Sequence, residues 1–397
     1  TTYMLVNTMG TPSFEADKYQ KIIPETKEAQ ILYLINSYDV RRNQLKTDEI
    51  KAFEQYLKDV KADERRTLKS NDIIAYASPD GGEKLNTKLS DNRGKSAEKA
   101  FNRTINKEAK VDAPVNVKSV GQDWEGFQEL VSGSDIEDKE LILRVLSMYS
   151  DPAVREKEIK NMSSVYEVLA DEILPELRRA RFIANVEYKN YTDEELLDLI
   201  ATDMDLLDEE ALLYTATLVE SNDVKTTIYE TAASKFNSDR AYNNLAAVKL
   251  SEGKTADAKA ALNKMSEKTE SYYNNMAVVA MQEKDFEAAA EMLQKSGLAE
   301  AKLNQAALDI LNGKYQAAAE ALSGSNTVNE ALANILVKNE AKAQSILTGD
   351  CPCQAYLRAI IAARKGDAAT ANKELETAKK SEQLAKRAAT DIEFAKL

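Results

Sequence analysis

The chain contains no histidine and only two cysteines among its 397 residues. Without histidine there is no Ser–His or Cys–His nucleophile pair and no histidine-based zinc site. The two thiols, Cys351 and Cys353, flank Pro352. Structural zinc takes more thiolates than this, and bridging position i to i+2 fits poorly with the usual disulfide geometry. They read either as a loop with two thiols or as a strained vicinal-type disulfide, with a redox or metal pair as the functional alternative. Long apolar runs are missing too: no stretch approaches the roughly 20 residues that span a bilayer. Positive charge is in deficit, 53 Lys and Arg against 66 Asp and Glu, for a net charge of −13. That excludes a phosphate-gripping nucleic-acid face and would repel anionic membrane surfaces. No cofactor or metal is expected. The chain opens at Thr1 without methionine or signal sequence, as a mature or trimmed product would.

What is present is the composition of a folded chain, 43% hydrophobic and 30% charged, long enough for more than one domain. Residues 1–28, with Gly10-Thr11-Pro12 and Ile23-Pro24, read as an entry linker or the end of a missing domain, with Tyr3–Val6 as its last strand. Residues 29–190 then alternate strand and helix. Ala29–Ile35, Ile73–Ala77 and Val115–Val120 have strand character, with helices from Thr47 to Leu57 and from Asn86 to Asn102 between them. This order predicts an α/β sandwich on one sheet. Residues 121–181 read as a helical insertion, with Pro152 at a first-turn position and Pro175 interrupting a later helix. Phe182–Tyr188 reads as a fourth strand closing the sheet.

Residues 191–397 are helical and alanine-rich, and they repeat. With Asn244, Asn275, Asn304, Asn329 and Leu357 as starting points, alanine follows two positions on in every copy: Ala246, Ala277, Ala306, Ala331 and Ala359. Fourteen positions on it recurs as Ala258, Ala289, Ala318, Ala343 and Ala371, and eighteen on stand Leu262, Leu293, Leu322, Leu347 and Leu375. Nine on lies a turn with Gly253, Lys284, Gly313, Lys338 and Gly366. Antiparallel helices approach closely only where side chains are small, and leucine fills the space between pairs. The predicted fold class is therefore α+β: the sandwich with its insertion, then an all-α solenoid.

This spacing resembles the tetratricopeptide repeat. The G-x-[YF]-x-x-A turn stands as Gly313-Lys-Tyr315-Gln-Ala-Ala318, and with lysine first as Lys284-Asp-Phe286-Glu-Ala-Ala289. The starting points lie 31, 29, 25 and 28 residues apart, against 34 in the family, so shortened helices are expected. The resemblance implies a concave face that takes a protein partner. Asn243, Asn244, Asn274 and Asn275 are the candidates to hydrogen-bond an extended backbone; the alternative is that they are solvated or are helix caps.

Residues 75–93 resemble the central motif of OmpA-like domains, N-x-x-L-S-x-x-R after a strand and a glycine turn: Asn86, Leu89, Ser90 and Arg93, with Gly81 at the turn. That family binds the diaminopimelate part of peptidoglycan, an arginine fork gripping carboxylate while an aspartate accepts from ammonium. The resemblance implies ligand contacts from Asn86 and Arg93, with Ser78 and Asp80 lining the loop. Ser78 stands where the family has aspartate, and a lost charge-assisted contact costs about 1.5–3 kcal/mol. Peptidoglycan binding and a retained fold with another ligand both remain open.

Together these features are similar to envelope proteins of Bacteroidetes-type bacteria. They imply a non-enzymatic periplasmic or outer-membrane-associated scaffold, attached through the first domain and holding a protein through the repeats. The alternative is a purely protein-binding assembly subunit of an outer-membrane complex. Elsewhere, Trp124 is expected to anchor the insertion on the sheet. Arg178, Arg179 and Arg181 are expected in internal salt bridges or on an anionic partner. Glu194-Glu195 and Glu209-Glu210 are expected in first helical turns.

Overall fold

A computed structural model describes residues 2–395 of the chain. The chain is mixed α+β and divides into two compact units, one of residues Gln20–Thr192 and one of Thr1–Tyr19 with Asp193–Leu397.

The Gln20–Thr192 unit carries a four-stranded sheet of β1 (Ile22–Leu32), β2 (Arg66–Ala77), β3 (Val115–Gln122) and β4 (Arg179–Lys189), in the order β1-β4-β2-β3. β4 runs antiparallel to both β1 and β2, and β2 is parallel to β3. β1 starts well before the expected Ala29 and contains Pro24, because it is an edge strand and proline is tolerated where no ladder N–H is needed. The linker expected over residues 1–28 is thus divided between strand β1 and a segment of the other unit. Along β4, alternate residues Ala180, Phe182, Ala184 and Val186 are buried, as period-two side-chain alternation requires. Helices α1 (Asp48–Ala62) and α2 (Glu83–Ala100) supply Ile50, Phe53, Leu57 and Ala97 to the same core, and Phe182 packs between Phe53 and Phe101 with its ring tilted to both. Thr47 caps α1 as its sequence suggests, accepting from the Ile50 N–H. Gly94 lets α2 lie close on β3, since a Cβ there would sit 2.9 Å from Val117 Cγ1.

The insertion forms helices over Trp124–Gly133, Lys139–Met148, Pro152–Asn161 and Ser163–Glu172, around their own core of Phe127, Val131, Ile142, Leu146 and Leu169. Trp124 packs edge-on against Phe127 inside this cluster, and its indole N–H reaches Gln122 at the end of β3 (3.1 Å). Half-buried, it packs against the insertion's own core and is tied to the end of β3 by that hydrogen bond.

In the other unit, five helix pairs follow the repeat columns: Asp239–Ser251 with Thr255–Leu262, Glu270–Gln282 with Phe286–Leu293, Ala299–Leu311 with Tyr315–Ala321, Val328–Leu336 with Glu340–Ile346, and Pro352–Arg364 with Ala368–Ala378. All ten column alanines are fully buried, and the column leucines are at most 5% exposed. The five turn residues share left-handed backbone, φ 72°, 64°, 75°, 65° and 78° in chain order. In each turn the next N–H reaches five residues back, as Lys254 to Lys249 and Asp285 to Ala280 (both 2.8 Å), which closes the first helix of the pair. Glycine meets this φ without steric cost; Lys284 and Lys338 carry a Cβ into it. Tyr3–Val6, expected as a strand, instead follows a short 3-10 turn over Thr2–Leu5 in this unit.

Candidate functional site: an asparagine ladder on an extended segment

The first helices of four of the five pairs present one asparagine each at the same column, and every one of these grips a single residue of the segment 2–19. Asn244 Oδ1 accepts from the Glu15 N–H (2.7 Å) and its Nδ2 donates to the Glu15 carbonyl (2.9 Å). Asn275 does the same to Ser13 (2.7 and 2.9 Å), Asn304 to Thr11 (2.7 and 2.9 Å), and Asn329 to Asn7 (2.8 and 2.9 Å). A carboxamide offers one acceptor and one donor side by side, so it pairs with a residue's N–H and C=O as a neighbouring β-strand would. The segment runs against the order of the repeats. From Asn244 to Asn275 and from Asn275 to Asn304 it advances by two residues, about 6.6–6.8 Å of extended chain.

Asn243 and Asn274 fill in between the rungs. Asn243 donates to the Ser13 carbonyl and to Ser271 Oγ, and Asn274 to the Thr11 carbonyl and to Ser13 Oγ, all at 3.1 Å. Nδ2 of Asn275 reaches Asn243 Oδ1, and Nδ2 of Asn304 reaches Asn274 Oδ1 (both 2.9 Å), which joins the rungs into one network. All four expected partner-binding asparagines are therefore buried at one surface. They are neither solvated nor caps: Ser238 and Thr269 cap these helices. Asn304 and Asn329 share their column and complete the ladder, although no adjacent asparagine marks them.

Between Thr11 and Asn7 the regular step is interrupted. Gly10 turns the chain at φ 76°, and Gln282 Nε2 donates to the Met9 carbonyl (2.9 Å). A cavity of about 310 Å³ opens there, lined by Gly10, Thr11, Asn304 and Asn329 among others. The fifth repeat carries Leu357 instead of a rung, and the chain answers with apolar residues: Tyr3, Leu5 and Val6 pack against the cluster that contains Leu357. At the far end Tyr19 stacks on Tyr214 (4.9 Å), and Glu210 accepts from the Lys18 N–H (2.6 Å). Glu210 also pairs with Arg240, whose hydrogen bond holds the carboxyl below its ordinary range. Glu194, Glu195, Glu209 and Glu210 all occupy first helical turns.

In the other unit the structure gathers Ser78, Asp80, Asn86 and Arg93 around one loop. Ser78 Oγ donates to Asp80, and Asn86 Nδ2 holds the carbonyls of Ser78 (3.1 Å) and Gly81 (2.8 Å). Arg93 is completely buried. Its Nε donates to the Ser37 carbonyl (2.9 Å), Nη1 to that of Tyr76 (3.0 Å) and Nη2 to that of Leu34 (3.2 Å), with Tyr33 beneath its plane. Desolvation pulls its pKa down to about 10, and burial pushes the Tyr33 phenol up to about 12. Asp80 pairs with Arg178 (3.1 Å). In this arrangement Arg93 presents no surface to a ligand carboxylate, and the Asp80 carboxylate already has a cation. Arg179 likewise pairs with Asp123 (2.9 Å) and Arg181 with Glu28, so the arginine cluster lies in internal ion pairs.

Cys351 and Cys353 are free, exposed thiols, and Cys351 caps the helix Pro352–Arg364. Among the described residues no group of three or more Cys, Asp or Glu is placed to hold a metal ion, and no helix is long and apolar enough to cross a membrane. The chain matches no family model, no curated protein and no solved structure.

Proposed function

We propose that this chain is a non-enzymatic protein-binding scaffold of the cell envelope, whose helical repeats hold an extended polypeptide segment by its backbone. One observation carries the reading: four asparagines of one repeat column each pair with both the N–H and the C=O of a single residue of an extended segment. Nothing in that pairing involves a reacting atom; it is recognition of a strand by a surface that imitates a strand. The buried alanine columns and the recurring left-handed turn support the tetratricopeptide-type reading of the repeats. The envelope setting rests on the OmpA-like motif at Asn86–Arg93. Attachment to peptidoglycan through Ser78, Asp80, Asn86 and Arg93 has less support, because Arg93 is enclosed by three backbone carbonyls. The purely protein-binding form of the scaffold is therefore the one we favour.

Amide hydrogen exchange tests it on the intact chain. The Thr11, Ser13 and Glu15 amides are expected to be protected, and to lose protection in an Asn275→Ala, Asn304→Ala double variant. Fast exchange of these three amides in the unaltered chain would end the reading.

A further inference from the structure

The ladder's occupant belongs to the chain itself, so the question is whether it is a fixed part of the fold or a ligand that happens to be tethered. Within residues 2–19 only the side chains of Thr2 and Ser13 are buried; Met4, Met9, Thr11, Phe14 and Ala16 are exposed. No disulfide fixes the segment. Along residues 7–15 the grip is mainly polar and mainly to backbone. When such a segment leaves, water reaches the asparagine amides it uncovers, and they lose far less than groups stranded in a dry core. A deep apolar plug would have no such replacement.

The segment is nevertheless selected at two points. Gly10 has left-handed backbone, and a Cβ there would lie 2.9 Å from both methyls of Val278. Ser13 is 2% exposed; its Oγ lies 2.7 Å from Ser271 Oγ and receives the Asn274 amide, which leaves no room for a longer side chain. Phe14 and Ala16 are exposed at the rim of an open depression shared with Tyr229 and are not enclosed, and Thr11 opens onto the cavity where the rung is skipped.

Resting on the backbone-holding function above, we propose that residues 7–15 occupy the groove as an exchangeable ligand in cis. What takes their place is an extended segment of another polypeptide with a glycine and, three residues on, a serine-sized residue, running in the same direction. The tethered copy acts as a selective plug. Ligands lacking the glycine and the small residue do not displace it, and those that have both must compete with a local concentration in the millimolar range.

The probe is a fluorescein-labelled synthetic peptide with the sequence of residues 2–16, titrated by anisotropy into the full-length chain. Weak binding is expected to the unaltered chain, and binding tighter by about 10- to 100-fold to a full-length Ser13→Arg chain whose own segment no longer fits. Peptides carrying Gly10→Val or Ser13→Arg are expected to bind at least ~10-fold more weakly, and a Phe14→Ala peptide within ~3-fold, as enclosure at the first two positions and exposure at the third require. Because Ser13→Arg could disturb folding, a second chain carries a protease site after Ala16. Once nicked, it is expected to exchange its own fragment for the labelled peptide. Failure of the label to enter either chain, while the Ser13 amide stays protected in the unaltered one, would make the segment a permanent part of the fold; the inference falls and the backbone-holding function stands. Equal binding of all peptides would overturn the selectivity. An unprotected Ser13 amide in the unaltered chain would sink both.

Discussion

Replacing Asn275 by alanine removes the central rung, and its cost can be worked out from the contacts it makes. The side chain accepts from the Ser13 N–H, donates to the Ser13 carbonyl and donates to Asn243 Oδ1. The Ser13 carbonyl keeps the Asn243 amide as a donor, but the Ser13 N–H and Asn243 Oδ1 lose their partners. Asn243 and Asn275 are fully buried and Ser13 nearly so, so water does not simply take over these two groups. A buried polar group left without a partner costs about 1–3 kcal/mol. Two such groups, with some relief from a shift of the segment, give an expected loss of about 2–5 kcal/mol for opening the segment. At ~1.4 kcal/mol per decade, that is roughly 30- to 5,000-fold faster exchange at the Ser13 amide. Asn329→Ala is the internal control. It makes the same pair of bonds at an exposed edge, where water substitutes and about 0.5–1.5 kcal/mol is expected. Asn275→Asp sharpens the test, since a buried carboxylate would face the Ser13 carbonyl and the Asn243 oxygen. Its pKa in the folded state rises above the unfolded value near 3.9, so the penalty is absent below that pH and grows as pH rises through it. Equal effects at Asn275 and Asn329, or a change at Ser13 of under threefold, would refute the account of the ladder as a set of enclosed backbone pairs.

Arg93→Lys keeps the charge but not the fork that reaches three carbonyls, and is expected to destabilise the Gln20–Thr192 unit by about 3 kcal/mol. An unaltered thermal melt would show the guanidinium to be solvent-facing. Lys284→Gly relieves a left-handed residue, a gain of about 1–2 kcal/mol reduced by glycine's entropy of about 0.5–1 kcal/mol; a lower urea midpoint would contradict this. Burial works against the Glu330 carboxylate, but the N–H groups of Gly324 and Asn326 and the Lys342 ammonium outweigh it and hold its pKa low. Its stabilisation is present above the unfolded value near 4.3 and lost as pH falls below it. The gap in denaturation midpoint between the unaltered chain and Glu330→Gln should therefore be wide at pH 7 and shrink below about pH 4; a gap that does not narrow would show the carboxylate to be unstabilised.

The repeats were legible because their signals are local. Small residues at the crossings, leucines between pairs and a turn in fixed phase all follow from how two adjacent helices meet, and each reappears as a buried column or a shared φ. The ladder was half legible. The doublets Asn243-Asn244 and Asn274-Asn275 stand out, whereas Asn304 and Asn329 look ordinary until their alignment column is considered. The occupant was not legible at all, since its partners lie 229 to 322 residues away and no periodicity reports such a pairing. Pro24 misdirected the reading of residues 1–28: a proline beside polar residues reads as linker unless the strand's edge position is known. At Asn86–Arg93 the spacing of the motif was readable, but the enclosure of Arg93 depends on carbonyls of Leu34 and Ser37, which nothing around position 93 announces.

The long span of these pairings sets an order in time as well as in space. As the chain is made from its N-terminus, Asn244 emerges first and can take Glu15, then Asn275 takes Ser13, Asn304 takes Thr11 and Asn329 takes Asn7. Thr2 must wait for Glu393, 391 residues downstream. Closing such large loops costs little more than closing modest ones, because the entropy grows only with the logarithm of length. This order allows the segment to zip from residue 15 toward residue 2, each later-made repeat fastening onto a stretch made before it.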